Sequence, residues 1–446
     1  MSDLLALGIS HKTAPLELRE RLALTEGRAT GVLNDLLSAD QVSEAAAIST
    51  CNRTELYMVV GDPVEAESSA LSALSRQAGI RPTELIESLY SFRGIEAARH
   101  LFRVAAGLDS MILGEAEIQG QVKRAYELAL VEGATGAILN RLFRGALSAG
   151  KRARAETKIG EGGISVPSAA VELATRTFGD LAERRVLLIG AGETAELTAK
   201  ALSARGVDAV FVANRRYDRA IGLAQRFGGS AVRIDDLPGQ LEHADIVVSS
   251  TNSPHHIVER EELELVAAAR AGRPLLLIDL AVPRDIDPSC REVTGVIVRD
   301  VDDVQTIADR NASGREAEAR RAEQLVASEI ARFEAWLGSL EVLPTVASLR
   351  GRADEIVRRV LAENEHRFTD LNDDDRARVE AMARAVASRI LHEPTLRLKR
   401  AAEHDDAYQQ VAALRELFGL DTATDPEGAG AEVTELRPRK AEGRGD

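Results

Sequence analysis

Cysteine is nearly absent: the chain has 446 residues and two thiols, Cys51 and Cys290. Two cysteines make no disulfide framework, which points to a reducing cytoplasm. The run Met1-Ser2-Asp3-Leu4-Leu5 puts no basic stretch before an apolar one, so a secretory leader is not expected. No apolar run approaches the roughly 18 residues of a membrane span. Eight histidines are scattered, and none shares metal-ligand spacing with a cysteine, so no metal site is expected. Aromatics are 3% of residues, while Ala, Arg and Glu are plentiful, a composition that favours helices. The net charge of −15 argues against a nucleic-acid partner, because phosphate contacts need Lys and Arg. One window departs from it. Arg141, Arg144, Lys151, Arg152, Arg154 and Lys158 face a single acid, Glu156. By itself that window reads as a solvated helix face.

The length implies two to three domains. In the first part, strands at Leu4–Ile9, Ala45–Ile48, Leu56–Val60 and Leu89–Phe92 alternate with a helix capped by Thr25 and one over Glu65–Gln77. The order βαββαβ is the ferredoxin-like plan. It puts the polar tip Ser49–Glu55, with Cys51, on a tight turn between adjacent strands. Helices are then predicted from Ile95, over Glu115–Glu132 and over Ile138–Glu156. Gly160-Glu161-Gly162-Gly163 breaks the pattern and marks a boundary. Beyond it, strands at Arg185–Ile189, Ala209–Ala213, Ile246–Ser250 and Pro274–Asp279 alternate with helices, which implies a doubly wound parallel sheet. After about Asp302 the chain is helical, beginning with a long charged helix over Arg315–Leu337. The stretch 421–446, rich in Gly, Glu, Thr and Pro, reads as disordered. The expected domains are 1–158, 159–303 (Rossmann-type), 304–420 (all-helical) and the tail 421–446.

Gly190-Ala191-Gly192-Glu193-Thr194-Ala195 follows a predicted strand and opens a helix, predicted from Glu196. In that context the glycines let the backbone approach a pyrophosphate at a helix N-terminus. A site for NAD expects an acid at the end of the second strand. Here Asn214-Arg215-Arg216 stands instead, and two guanidiniums suit a 2′-phosphate, so NADPH is the expected cofactor.

Cysteine is commonly a buried small hydrophobe. The neighbours of Cys51 (Ser49, Thr50, Asn52, Arg53, Thr54) are all polar, and Arg53 is expected to favour the thiolate. A thiol nucleophile beside a hydride donor suggests attack on an activated acyl group, a thioester, and reduction to an aldehyde.

Further runs extend the pattern: Gly8-Ile9-Ser10-His11-Lys12-Thr13-Ala14-Pro15, Ser49 to Glu55, Leu108-Asp109-Ser110-Met111-Ile112-Leu113-Gly114-Glu115, Gly120-Gln121-Val122-Lys123, and Leu280-Ala281-Val282-Pro283-Arg284-Asp285. With these, residues 4 to 420 resemble the glutamyl-tRNA reductase family in the same order. The resemblance implies reduction of glutamyl-tRNA(Glu) to glutamate-1-semialdehyde with release of tRNA, the first step of five-carbon porphyrin and haem synthesis. It implies a catalytic ferredoxin-like domain, an NADP domain and a helical dimerisation domain, in a homodimer. A complex with the glutamate-1-semialdehyde aminomutase is among the implied partners. Carried over by motif, Cys51 is the nucleophile, and Thr50, Asn52 and Arg53 line the glutamyl pocket. Ser110, Glu115, Ala116, Glu117 and Gln121 contact substrate, and His100 acts as an acid/base or orienting group. The family commonly has Glu-Pro-Gln where this chain has Glu115-Ala116-Glu117. The basic window then becomes a tRNA-contact candidate. The alternative from the nucleotide domain alone is a shikimate-dehydrogenase-like NADP oxidoreductase on a small molecule. A non-catalytic NADPH-sensing module leaves Cys51 and Arg53 without a role.

Overall fold

The computed structural model describes residues 3–115, 117–160, 165–213, 217–310, 316–369, 371–401 and 407–420. They form two compact units, Met1–Phe333 and Glu334–Asp446.

The first unit opens with β1 (Asp3–Ser10), α1 (Leu16–Leu22), α2 (Glu26–Leu37), β2 (Val42–Ser49), β3 (Arg53–Val60), α3 (Pro63–Ala78), α4 (Pro82–Ile86) and β4 (Tyr90–Arg93). The sheet order is β2-β3-β1-β4, antiparallel throughout, as the βαββαβ reading requires. Thr25 caps α2 as expected, accepting from the Arg28 amide, and Ala29, Val32, Leu33 and Leu36 line its buried face. The turn between β2 and β3 is shorter than the polar tip read from the sequence. Arg53 pairs with Ser10, Thr54 with Ile9 and Glu55 with Gly8, so all three lie inside β3 and are buried. Their charge is matched by neighbours, which a hydropathy pattern does not register.

Three helices cover this sheet and its flank: α5 (Ile95–Ala105), α6 (Glu117–Val131) and α7 (Ala137–Glu156). The buried Glu44 carboxylate of β2 accepts from the Ile138 (3.1 Å) and Leu139 (2.7 Å) amides and so caps α7. Gly114 has φ +80°, and a Cβ there would lie 2.0 Å from the Ile159 carbonyl oxygen. Gly114→Ala therefore combines left-handed strain with a backbone clash, and a loss of about 3 kcal/mol or more is expected in denaturant unfolding.

The remainder of this unit contains α8 (Val166–Phe178), β5 (Val186–Ile189), α9 (Glu193–Ser203), β6 (Ala209–Ala213), α10 (Tyr217–Phe227), β7 (Ser230–Arg233), α11 (Leu237–His243), β8 (Ile246–Ser249), α12 (Arg260–Ala269), β9 (Leu275–Asp279), β10 (Val296–Arg299) and α13 (Val301–Arg310). The order β7-β6-β5-β8-β9-β10 is parallel throughout, the dinucleotide-binding order with its switch point between β5 and β8. Leu16 of α1 and Ile112 belong to the same apolar cluster as Val166, Val186 and Val301, so the two α/β parts share a core.

The long helix α14 (Glu316–Glu363) extends well past the predicted Leu337. Ala322, Val326, Ile330 and Phe333 are its buried stripe in the first unit. Phe333 packs on Phe102, Arg103 pairs with Glu323, and Arg152 with Glu329. In the second unit, α14 is followed by α15 (Asp373–Ala401) and α16 (Ala407–Phe418). Val342, Val346 and Leu398 form its small core, with Val411 and Leu414 packed against it. Met382, Val386 and Ile390 of α15, four residues apart, are exposed. No helix among the described residues is long and apolar enough to cross a membrane. The predicted tail 421–446 lies outside the described residues.

Candidate active site

Cys51 occupies the β2–β3 turn, and the turn is held by its neighbours' backbone and hydroxyl groups. The Thr50 hydroxyl accepts from the amides of Asn52 (3.1 Å) and Arg53 (3.2 Å), and the Thr50 amide donates to the Arg53 carbonyl. The His11 amide donates to the Asn52 carbonyl at 2.8 Å. Arg19 of α1 donates from Nη1 to the Cys51 carbonyl at 2.8 Å.

The surroundings of the thiol are more closed than the polar tip of a tight turn implies. Cys51 is half-buried, and burial pushes its thiol up to about 12, with the charges of Glu115 and Glu117 adding to the rise. The cation that opposes them is Arg19, not Arg53. Arg53 is 1% exposed and committed elsewhere. Its Nη1 bonds Glu55 Oε1 at 2.6 Å, and its Nη2 donates to the Asp109 carbonyl. The expectation that Arg53 favours the thiolate is thus corrected, because the buried acid of the same strand draws the guanidinium away from the turn.

Glu55 is the hub behind Arg53. Its carboxylate also accepts from Tyr57 (2.7 Å) and Tyr90 (2.5 Å) and lies 2.9 Å from His100 Nε2. Burial alone would raise this carboxyl. The charges of Arg53 and His100, with the bonds from His100 and Tyr90, outweigh it and hold the group well below the usual carboxylate range. His100 Nδ1 is 3.7 Å from Asp109 Oδ2, and Asp109 also pairs with Lys12. His100 therefore stands between two acids and orients Glu55, and through it Arg53.

Several polar atoms around the turn are buried without a hydrogen-bond partner among the described residues. They are His11 Nδ1, Arg19 Nε, Asn52 Oδ1, Arg53 Nε, Ser110 Oγ and Glu117 Oε1. Outside this region only Ser75 Oγ and Thr395 Oγ1 share that condition among the described residues. Unsatisfied buried groups are costly, and their concentration here makes this turn the candidate site for a polar ligand. Burial, with Arg53, Lys12 and Arg19 nearby, pushes His11 down to about 4, which leaves it neutral near pH 7. Burial and Glu117 push Glu115 up to about 7. Glu117 is also raised, by burial and by Glu193. Gln121 follows Glu117 by one turn on α6 and shares its face. Ala116 lies outside the described residues.

The glycine motif forms the second part of the site. Gly190 follows β5 with φ +114°, and a Cβ there would sit 2.9 Å from the Ser250 carbonyl oxygen. Asp285 fixes that approach by accepting from Ser249 Oγ (2.6 Å) and the Thr251 amide (2.8 Å). Gly192 is the N-cap of α9, which starts at Glu193, three residues before the predicted Glu196. A Cβ on Gly192 would meet nothing within 4 Å, so the helix end is open to a phosphate. Ala191 and Ala195 face the core, and Thr194 accepts from the Thr198 hydroxyl. These residues fit a dinucleotide. Asn214, Arg215 and Arg216 lie outside the described residues. Glu193 carries a link to the first part of the site, at 3.3 Å from Arg124 of α6.

Residues 7–157 match the glutamyl-tRNAGlu reductase N-terminal domain, residues 172–307 the shikimate/quinate 5-dehydrogenase family, and residues 321–420 the glutamyl-tRNAGlu reductase dimerisation domain. The glutamyl-tRNA reductase of Geobacter sulfurreducens is 42% identical over 429 residues, which span 96% of this chain and 99% of that one. The chain belongs to the glutamyl-tRNA reductase family. The glutamyl-tRNA reductase of Syntrophobacter fumaroxidans is 40% identical over 437 residues, or 98% of this chain and 95% of that one. The solved glutamyl-tRNA reductase from Methanopyrus kandleri is similar with a TM-score of 0.52 and 35% identity, covering 94% of this chain and all of that one. As a member of the glutamyl-tRNA reductase family the chain is an oxidoreductase with that family's three-domain architecture.

Sequence reasoning missed His11, Arg19, Glu55 and Asp109 as parts of the site. His11 and Asp109 lay inside runs already singled out. Glu55 lay in one too, read there as part of the polar tip; Arg19 gave no local signal, because its partners are distant in sequence. Two members of the basic window are engaged within the chain. Arg152 pairs with Glu156 and Glu329, and Arg154 donates to the carbonyls of Ala105 (3.1 Å) and Glu115 (3.3 Å).

Proposed function

We propose that the protein reduces the α-carboxyl ester of glutamyl-tRNA(Glu) to glutamate-1-semialdehyde with NADPH, through a thioester on Cys51. The observation that carries this reading is the set of unsatisfied buried polar atoms around the Cys51 turn. The set mixes donors (Arg19 Nε, Arg53 Nε) with acceptors (Asn52 Oδ1, Glu117 Oε1), and a glutamyl group brings a carboxylate and an ammonium to match. In the reaction the Cys51 thiolate attacks the ester carbon, and the bond to the tRNA 3′-oxygen breaks. Glu115, with its carboxyl near 7, is suited to give that oxygen its proton. The turn Gly190–Ala195 would hold the dinucleotide, which when bound would provide the hydride that reduces the thioester carbon. The thiohemiacetal on Cys51 then collapses to the aldehyde and regenerates the thiolate. A serine ester at this position accepts hydride less readily, which is the chemical reason for a thiol.

The choice of NADPH over NADH rests on Asn214-Arg215-Arg216 in place of an acid. The exposed stripe Met382, Val386 and Ile390 supports a homodimer through the helical domain. With Arg152 and Arg154 engaged, Arg141, Arg144, Lys151 and Lys158 are the exposed members of the basic window offered to tRNA. A complex with the glutamate-1-semialdehyde aminomutase fits the reactivity of the aldehyde product. A direct dehydrogenase of the shikimate type leaves Cys51 idle.

The test is NADPH oxidation with glutamyl-tRNA, uncharged tRNA or free glutamate. Turnover is expected with glutamyl-tRNA alone. Turnover with free glutamate overturns the ester-substrate reading.

A further inference from the structure

The short helix α1 bridges the catalytic turn and the nucleotide domain through two consecutive residues of opposite charge. Arg19 is 3% exposed. Its Nη2 binds both oxygens of Asp302, at 2.6 and 2.8 Å, while its Nη1 holds the Cys51 carbonyl at 2.8 Å. Glu20 accepts from the Arg284 amide (2.7 Å), Nε (2.8 Å) and Nη2 (2.7 Å). Asp302 lies in the first turn of α13, and Arg284 follows β9, so both partners belong to the nucleotide domain. The crossed signs fix α1 in one register, since a one-residue slip would set like charges together.

We propose that Arg19 is a positioning residue that couples the docking of the nucleotide domain to the reactivity of Cys51. The inference rests on reading Cys51 as the nucleophile. One edge of the guanidinium is anchored by Asp302, and the other holds the turn and places a positive charge beside the thiol. The groups facing Cys51 are Arg19 from α1, Glu115 from the segment before α6, and Glu117 from α6. His11 and Arg53 share the space with Arg19. Arg19 is thus the favourable charge set against two acids and burial. Asp302 tempers that charge and fixes its place, so a displaced nucleotide domain alters the field at the thiol. Such a device makes thiolate formation depend on whether the nucleotide domain is docked.

The test is the rate of Cys51 alkylation by iodoacetamide against pH in the full-length protein, followed by peptide mass spectrometry so that the buried Cys290 does not interfere. Arg19→Gln is expected to slow alkylation about tenfold at fixed pH and to move the profile to higher pH. Asp302→Asn keeps a hydrogen-bond acceptor but removes the tempering charge. It is expected to speed alkylation several-fold and to move the profile to lower pH. Arg19→Lys restores part of the rate lost in Arg19→Gln. Glu20→Gln, which weakens the neighbouring bridge, leaves the pH profile in place. A purely structural Arg19 predicts that both Arg19→Gln and Asp302→Asn loosen the turn and speed alkylation alike. Shifts in the same direction, or no shift in either variant, overturn the proposal. Loss of the nucleophile reading shows separately, as turnover by Cys51→Ser.

Discussion

Cys51→Ser is expected to remain folded and to lose reduction of glutamyl-tRNA by about three orders of magnitude or more. Two effects act together. A hydroxyl is a weaker nucleophile than a thiol, and the oxygen ester it would form resists hydride because its resonance is stronger. The fold is spared because the turn is held by backbone and hydroxyl groups: Thr50 Oγ1, the His11 amide and the Arg19 guanidinium on the Cys51 carbonyl. The checks are NADPH oxidation with glutamyl-tRNA and denaturant unfolding, where a change within about 0.5 kcal/mol is expected. Activity within tenfold of the parent contradicts the account.

Glu55→Gln carries the largest expected cost in stability. The carboxylate receives Arg53, Tyr57, Tyr90 and His100 in a site where Glu55 and Arg53 are each 1% exposed. Removing its charge leaves the Arg53 guanidinium buried without its main counter-ion, and about 3–5 kcal/mol is expected to be lost near pH 7. Activity falls with it, since Arg53 and His100 lose their common anchor. The pH dependence has a definite sign. The folded carboxyl is held below its ordinary value, so its contribution is fully present above the unfolded value of about 4.3 and fades as pH falls through the folded one. The gap between parent and Glu55→Gln therefore narrows in acid. Unfolding curves at pH 7 and pH 4 check this, and a gap that widens toward pH 4 contradicts it.

The elements that the sequence revealed are those with a strong local pattern. The antiparallel βαββαβ sheet, the strands β5, β6, β8 and β9, and the glycine turn at Gly190–Ala195 all follow from hydropathy and turn chemistry. The edge strands β7 and β10 escaped because they are four residues long and half-exposed. Helix α1 escaped because seven residues of alternating charge show little amphipathic face. Cys51 was legible as a polar-flanked thiol. Its field was not, because Arg19 is set by Asp302, 283 residues away, and Arg53 is turned from the thiol by Glu55. Glu55 itself reads as part of a polar loop until register with Gly8 places it inside the sheet. Buried charge is decided by tertiary pairing, and a single sequence does not display the pairs.

The central claim is a covalent glutamyl group on Cys51. Incubating the protein with glutamyl-tRNA labelled in its glutamyl group, without NADPH, and mapping the denatured peptides tests it most directly. The account predicts one glutamyl thioester, on the Cys51 peptide, cleaved by hydroxylamine and chased into aldehyde when NADPH is added. Normal turnover with no label on that peptide would contradict it.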